Sequence, residues 1–525
     1  MDQQNTSPKR RGHRRPDNRA DKARPGAFVS STSPREQDNP DLLRPGDLGR
    51  LADRALNLLS QHGVVIIHPR AQAALLRAGA QPGRDADRLR LPSELVREAL
   101  ENTPTEVTLC GKQTGLDLPL PRKDGGFIMR TGTGAHGYVD PRDASYRKTD
   151  RQAVREMAAV GSGLDQVGFI AHPFVHGVPE VTADVHAFAE MVAHTDKHVW
   201  MQPYGKENIE YLLRIAAIAA GGEDALRARP ITSVITCSFS PLEFKHMDTE
   251  VILQAGALGL PLHACALPSA GGTAPLSVGG LALMAAAEIL SMITVTHVLA
   301  PGTPVIAVPL MFTLDMRTGS ALQSCPESIQ AAALAVQLMK QGFGLVTHSY
   351  GAGSDTPDAD HQSMAERALL SQSVARAGAD ILGGVGQLET ATVFSPVQAV
   401  LDNEIGAMLR KTLEPVVITD EALNWDEMLN VRAGGHFLDS PHTLAGCRDQ
   451  YQPQAFLRQG RDDYEASGRR SAFEAARETA LALITQAPEQ GVLSEEQRRE
   501  IAEAAAAADR HIVDAVHRGT AADVI

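Results

Sequence analysis

The segment Gly344–Gln362, GLVTHSYGAGSDTPDADHQ, gathers more chemistry than a connecting loop needs. A short apolar run, Gly344-Leu345-Val346, turns into Thr347-His348-Ser349-Tyr350. Glycines follow at 351 and 353, then the carboxylates Asp355, Asp358 and Asp360. Histidine and aspartate can exchange protons, and tyrosine offers a ring face and a hydroxyl. The same residues also make an ordinary solvated turn. Aromatic residues are only 4% of the chain, yet Phe174, Trp200, Tyr204, Phe239, Phe244, Phe312 and Tyr350 fall at or just past candidate strand ends. Rings around one mouth bind a cation through their negative faces, at about 0.5–2 kcal/mol per contact. A quaternary ammonium has no N–H to donate, so rings suit it better than carbonyl acceptors.

Placing these residues together requires a scaffold. Eight short apolar or β-branched runs recur from residue 126 onward: Phe127–Arg130, Val167–Ala171, His198–Gln202, Ile231–Cys237, Leu262–Ala266, Pro304–Val308, Gly344–His348 and Ile381–Gly384. Helical patterns separate them, among them Ala187–His194, Ile209–Ala220, Leu281–Ile293, Ile329–Met339 and Met364–Ala377. Strand–helix alternation of this kind indicates a parallel sheet, and eight units favour a (β/α)8 barrel over an open doubly wound sheet. No Gly-x-Gly-x-x-Gly fingerprint follows an early strand, which weighs against the open sheet. In a barrel the chemistry lies at the carboxyl ends of the strands. There the chain places Thr131–His136, His172-Pro173-Phe174, Gln202-Pro203-Tyr204, Ser238–Phe244, Pro268–Thr273, Leu310–Gly319, the 344–362 segment and Gln387-Leu388-Glu389.

Four regions are expected: a basic disordered tail at 1–40, an N-terminal α+β extension at 41–125, the barrel at 126–430 and a helical extension at 431–525. The tail is rich in Arg, Pro and Ser and has little to bury. The extension opens with the helical spacing of Leu51–Leu59, a His62-Gly63 stop and the strand candidate Val64–Ile67. Phe473–Ile484 and Glu495–Val516 read as helices that pack outside the barrel or on another subunit, and a homo-oligomer is expected. The net charge of −13, from 50 basic and 63 acidic residues, argues against nucleic-acid binding. The five scattered cysteines suit a reducing cytoplasm. Leu281–Ala300 is apolar but carries Glu288 and His297, so it reads as a buried helix and not as a membrane span.

Several motifs together resemble the trimethylamine methyltransferase family. They are Gly271–Gly280 (GGTAPLSVGG), Ala287–Leu290, Pro301–Ile306, Asp315-Met316-Arg317-Thr318-Gly319, Pro326-Glu327, Ser354-Asp355-Thr356-Pro357 with Gln362 and Glu366, Leu401–Ile405, and Phe437-Leu438 with His442-Thr443. Leu58-Leu59, His62-Gly63-Val64, Leu91-Pro92, Leu95-Val96 and Asp140 extend the likeness, which runs from about residue 45 to 485. The resemblance implies a (β/α)8 barrel that moves a methyl group from a methylated amine to the cobalt of a corrinoid on a separate protein. The founding members use pyrrolysine on trimethylamine, whereas relatives without it act on quaternary amines such as glycine betaine. This chain has only standard residues, and Thr356-Pro357 stands where the resemblance leads one to expect Ser-Lys.

On that reading Asp355, Glu389 and His348 are the catalytic candidates. Asp355 and Glu389 are expected to fix neighbouring groups, because a carboxylate touching the ammonium would stabilise the ground state. Tyr350, Phe239, Phe312, Trp200, Tyr204 and Gln202 are candidates for the substrate cage. Arg317 or His348 would hold a betaine carboxylate, and Arg317 also reads as an ion-pair residue. Gly351, Gly353, Gly271 and Gly272 are expected to leave room for the corrin ring. No tightly bound cofactor and no metal are expected. The cobalamin-binding pattern Asp-x-His-x-x-Gly is not met by Asp184-Val185-His186, which has Ala189 in the glycine position. His263-x-Cys265 with Cys325 keeps open a zinc-dependent methyl-corrinoid:thiol methyltransferase. A non-catalytic betaine-binding barrel is the third reading.

Overall fold

In the computed structural model, which describes residues 43–518, the apolar runs become staves of a closed barrel. The tail 1–40 lies outside the described residues. The staves are β1 (Ile128–Thr131), β2 (Val167–Ala171), β3 (His198–Met201), β4 (Thr232–Cys237), β5 (Leu262–Ala266), β6 (Val305–Pro309), β7 (His348–Tyr350) and β8 (Ile381–Val385). They are all parallel and pair in sequence order, β8 returning to β1 through Ile381↔Ile128. β6 meets β7 at the single bridge Ala307↔Thr347, which completes the ring. Closure leaves no stave edge open.

Each strand is followed by a helix on the outside: α1 (Arg151–Gly163), α2 (Ala183–Ala193), α3 (Asn208–Ala220), α4 (His246–Ala257), α5 (Val278–Leu299), α6 (Pro326–Gln337), α7 (His361–Arg376) and α8 (Pro396–Thr412). Side-chain caps begin several of them: Asp150 accepts from Ala153 N–H, Ser277 from Gly280, Asp360 from Ser363 and Ser395 from Gln398. The apolar α5 is buried, and Asp47–Gln61 and Ser93–Asn102 of the N-terminal layer pack against it. That layer also adds Val64–Ile66 as a strand beside Glu243-Phe244, with Val65 opposite Glu243. The loop after β4 is thereby held from outside the barrel.

β7 departs from the expectation. The apolar residues Leu345 and Val346 are buried but precede the strand, which is the polar triplet His348-Ser349-Tyr350. Tyr350 therefore lies in the stave itself and not in the loop beyond it. The interior of this barrel is partly polar, so an apolar run does not mark where the stave begins.

Beyond α8 the segment 413–471 is mostly exposed and carries only short helices. α9 (Ala472–Gln486) packs on α8 and α1, and α10 (Glu495–Ala508) on α3 and α2. Both cover the outside of their own barrel.

Candidate active site

The barrel interior is crossed by one directed chain of hydrogen bonds. Arg130 Nε on β1 donates to His348 Nε2 on β7 at 2.8 Å. His348 Nδ1 meets His263 Nδ1 on β5 at 3.3 Å, and His263 Nε2 meets Ser233 Oγ on β4 at 3.0 Å. Ser233 Oγ meets His198 Nε2 on β3 at 2.8 Å, and His198 Nδ1 donates to the Cys110 carbonyl at 3.0 Å. Both ends are fixed, because a guanidinium only donates and a carbonyl only accepts. Every proton between them is then assigned: His348 carries its proton on Nδ1, His263 on Nε2 and His198 on Nδ1. Burial holds all three imidazoles below their usual range, with Arg130 adding to the effect at His263 and His348. They are neutral, as the chain requires.

This arrangement bears on two expectations. His348, expected to hold a substrate carboxylate, has both ring nitrogens engaged by protein partners inside the barrel. His263 likewise has no lone pair left for zinc, since Nδ1 accepts and Nε2 donates. Cys265 stands beside Cys237 on the neighbouring stave, and Cys325 Sγ lies 3.3 Å from Ser328 Oγ. Among the described residues one other cluster has metal-like spacing, His68, His246 and Glu250. There His68 Nδ1 accepts the Ala71 N–H as a helix cap, so Nε2 bears the proton and gives it to Glu250 Oε1 at 3.1 Å.

Above this floor, the strand-end loops are stapled by buried carboxylates. Glu288 on α5 accepts from Ser238 Oγ and Ser240 Oγ, both at 2.7 Å, and from Leu242 N–H at 3.0 Å. Asp355 accepts from Gln323 N–H (2.8 Å), Ser324 N–H (3.0 Å) and Thr390 Oγ1 (3.0 Å), tying together the loops after β6, β7 and β8. Burial raises the Asp355 carboxyl. Glu389 is exposed and sits with Thr390 and Ala391 in three consecutive left-handed residues, φ 48°, 49° and 76°. Such a turn is strained for residues with a Cβ and persists only where its surroundings enforce it.

The aromatic candidates separate into groups. Tyr350 and Phe312 meet edge to face, with ring centroids 6.0 Å apart. Burial pushes the Tyr350 phenol up to about 12. Tyr204 stacks on Phe174 at 5.6 Å, in a cleft of about 610 Å³ that Gln202 also lines. Gln202 accepts from Thr133 Oγ1 at 2.9 Å. Trp200 is not at the rim: it is fully buried and its ring already carries the Arg130 guanidinium at 4.3 Å. Phe239 is 54% exposed with Lys245 Nζ 4.5 Å from its ring. Arg317 extends into solvent from a hairpin, 3.5 Å from Asp315.

Three of the four candidate glycines pack closely against the protein's own side chains. A Cβ on Gly353 would fall 2.0 Å from Gln323 Nε2, and one on Gly351 2.7 Å from Leu382 Cβ. They make room for the buried side chains of Gln323 and Leu382. Gly272 would meet Leu314 at 2.7 Å, while Gly271 lies exposed between Met316 and Leu276. Asp184 and His186 are structural too: Asp184 accepts from Tyr204 N–H, and His186 meets Asp509.

The signal for the polar floor was present in sequence as Arg130, His198, Ser233 and His263 inside otherwise apolar runs. Glu288 was the lone carboxylate of an apolar helix. His172, at the end of β2, is a further buried histidine, held down to about 4 by burial, with Nε2 accepting the Gln202 N–H at 2.9 Å. Its stabilising contribution is complete above the ordinary value of 6.5 and is lost as pH falls from there towards about 4. His172→Gln keeps an acceptor without the charge. It should remove about 1.4 kcal/mol per pH unit of acid sensitivity, measured as urea midpoints across this window. Equal slopes in the two proteins would contradict the assignment.

Comparison with known proteins places the sequence in a family. The family model of trimethylamine methyltransferase (MTTB) matches residues 9–511. Trimethylamine methyltransferase MttB of Desulfitobacterium hafniense (strain DSM 10664 / DCB-2) is 29% identical over 430 residues, covering 82% of this chain and 86% of that protein. The glycine betaine methyltransferase of Desulfitobacterium hafniense (strain Y51) is 24% identical over 416 residues, covering 78% and 85%. The solved monomethylamine methyltransferase MtmB of Methanosarcina barkeri is similar at TM-score 0.49 and 12% identity, covering 85% and 88%. The chain belongs to the trimethylamine methyltransferase family and is a methyltransferase.

Proposed function

We propose that this enzyme transfers a methyl group from a quaternary amine of the betaine type to Co(I) of a corrinoid carried by a separate protein. The observation that carries the reading is Tyr350, inside the barrel at the carboxyl end of β7, with its ring against Phe312 and its hydroxyl free of hydrogen bonds among the described residues. A ring face without a competing cation is what a trimethylated nitrogen requires. A quaternary nitrogen leaves as a neutral tertiary amine, so no proton must be supplied. Trimethylamine would leave as an amide ion unless activated, and the chain has only standard residues.

The corrinoid supplies a two-electron nucleophile that accepts the methyl. The protein's own work is to hold the ammonium in line and keep water out. Leu276 and Met316, 60% and 69% exposed, flank Gly271 on the loops after β5 and β6, and such apolar surface fits the flat face of a corrin. Glu389 and Asp355 shape the rim without touching the ammonium. The expected homo-oligomer is part of the same proposal, and the exposed Val416, Val417, Ile418 and Leu438 supply apolar surface for it.

Tyr350→Ala should weaken glycine betaine binding by about 1–2 kcal/mol, roughly 5- to 30-fold, while Tyr350→Phe retains most of it. Calorimetric titration reads both. Wild-type affinity in the alanine variant would remove Tyr350 from the site, and failure of the phenylalanine variant would assign its hydroxyl the essential role.

A further inference from the structure

Among the described residues two arginines are fully buried, and their surroundings differ. Arg367 has its counter-charge, with Nη1 2.7 Å from Asp402 Oδ2. Arg130 has no carboxylate partner among the described residues. Its Nε gives to His348, its Nη1 to the Thr131 carbonyl at 2.6 Å, and its Nη2 has no acceptor. The indole N–H of Trp200, whose ring lies under the guanidinium, is also buried without an acceptor.

The polar chain cannot relieve this deficit. It runs in one direction from Arg130 to the Cys110 carbonyl, and the single lone pair of each imidazole along it is taken. Burial lowers the guanidinium to about 10, so it remains a cation at neutral pH. Gly383 leaves it space, since a Cβ there would lie 2.8 Å from Nη2. Gly383 is the register partner of Tyr350 on the neighbouring stave, and Tyr350, Cys265 and the imidazoles of His263 and His348 all lie within electrostatic reach of the guanidinium. What the site lacks is one anionic acceptor, reached from the side on which Tyr350 lies.

We propose that Arg130 Nη2 binds the carboxylate of a zwitterionic quaternary amine, so that the trimethylated nitrogen rests toward Tyr350 and Phe312. The proposal rests on the methyl-transfer reading. Arg130 is then a binding and specificity residue, and His348, His263, Ser233 and His198 position it. The charge arithmetic favours transfer. The N–CH3 bond breaks with its electron pair staying on nitrogen, the methyl leaves to the Co(I) acceptor, and no proton moves. Pairing with Arg130 withdraws the carboxylate's stabilisation from the ammonium. The fixed positive charge also disfavours the cationic ground state more than the transition state, in which that charge fades.

The test compares glycine betaine with choline, which has a hydroxyl in place of the carboxylate. Binding is read by calorimetry, and methyl transfer by the visible spectrum of added cob(I)alamin. Wild type should bind betaine about 10- to 150-fold more tightly than choline. Arg130→Gln should erase that preference while leaving choline binding within about threefold, and Arg130→Lys should restore part of it. If Arg130→Gln does not fold, Arg130→Lys carries the comparison, and a betaine-to-choline ratio unchanged from wild type overturns the proposal. Equal binding of the two ligands by wild type overturns the proposal, as does an equal loss for both in the variant. Preference in binding with no transfer from either ligand would support the Arg130 site and refute the methyl-transfer reading. Transfer without preference would do the reverse.

Discussion

Asp402→Ala is expected to lower the unfolding free energy by about 3–5 kcal/mol, because it leaves the Arg367 guanidinium buried without a counter-charge. Both side chains are wholly enclosed. Asp402 Oδ2 also accepts the Gly386 N–H at 2.7 Å, and Gln398 Nε2 reaches Oδ1 at 3.0 Å. Arg367 in turn donates to the Gln387 carbonyl. The pair therefore fixes the bend just past β8. From there Gln387 Nε2 reaches the Thr133 carbonyl at 2.9 Å and joins the last stave's loop to the first's. Urea unfolding followed by circular dichroism measures the loss. Arg367→Met with Asp402→Leu should lose less than Asp402→Ala alone, because removing both charges leaves neither to bury. A single-variant loss below about 1 kcal/mol would show that water or a rearranged carboxylate replaces Asp402.

Glu288→Ala is expected to reduce methyl transfer by about 100-fold, through displacement of the loop after β4. The carboxylate is the common acceptor for Ser238, Ser240 and the Leu242 amide, and each of these is left unmatched at about 1–3 kcal/mol. The same loop pairs with Val64–Ile66, so the N-terminal layer shifts with it. Glu288→Gln keeps one acceptor oxygen for Leu242, and the two hydroxyls can turn to accept from its amide. It should retain most of the stability and more of the activity than the alanine variant. Comparable losses in both variants would mean that the negative charge, and not the hydrogen bonds, holds the loop.

The eight staves were legible because each is a local run of β-branched and apolar residues followed by a helical pattern, and neither signal depends on distant contacts. β7 was misplaced because Leu345 and Val346 carry the apolar signal while the polar His348-Ser349-Tyr350 carries the pairing. The candidate site was less legible. Residues past the strand ends were correctly drawn to one end by the barrel rule, yet that rule does not say which way a side chain points. Trp200, expected as a cage wall, is enclosed under Arg130. Arg317 reaches into solvent. Gly351 and Gly353 accommodate Leu382 and Gln323.

The chain's own order of residues determined the alternation of strand and helix, the closed eightfold architecture and the motifs that mark the family. These follow from periodicity and composition over tens of residues. Only the tertiary structure decided how the interior is filled. Arg130, His348, His263, Ser233 and His198 come from five different staves and meet because closure turns alternate residues of every stave toward one axis. Their protonation, and the unfilled valence of Arg130, are properties of that meeting. Hydrogen-bond direction is set by the two ends of a chain of contacts, and those contacts form only when the barrel closes.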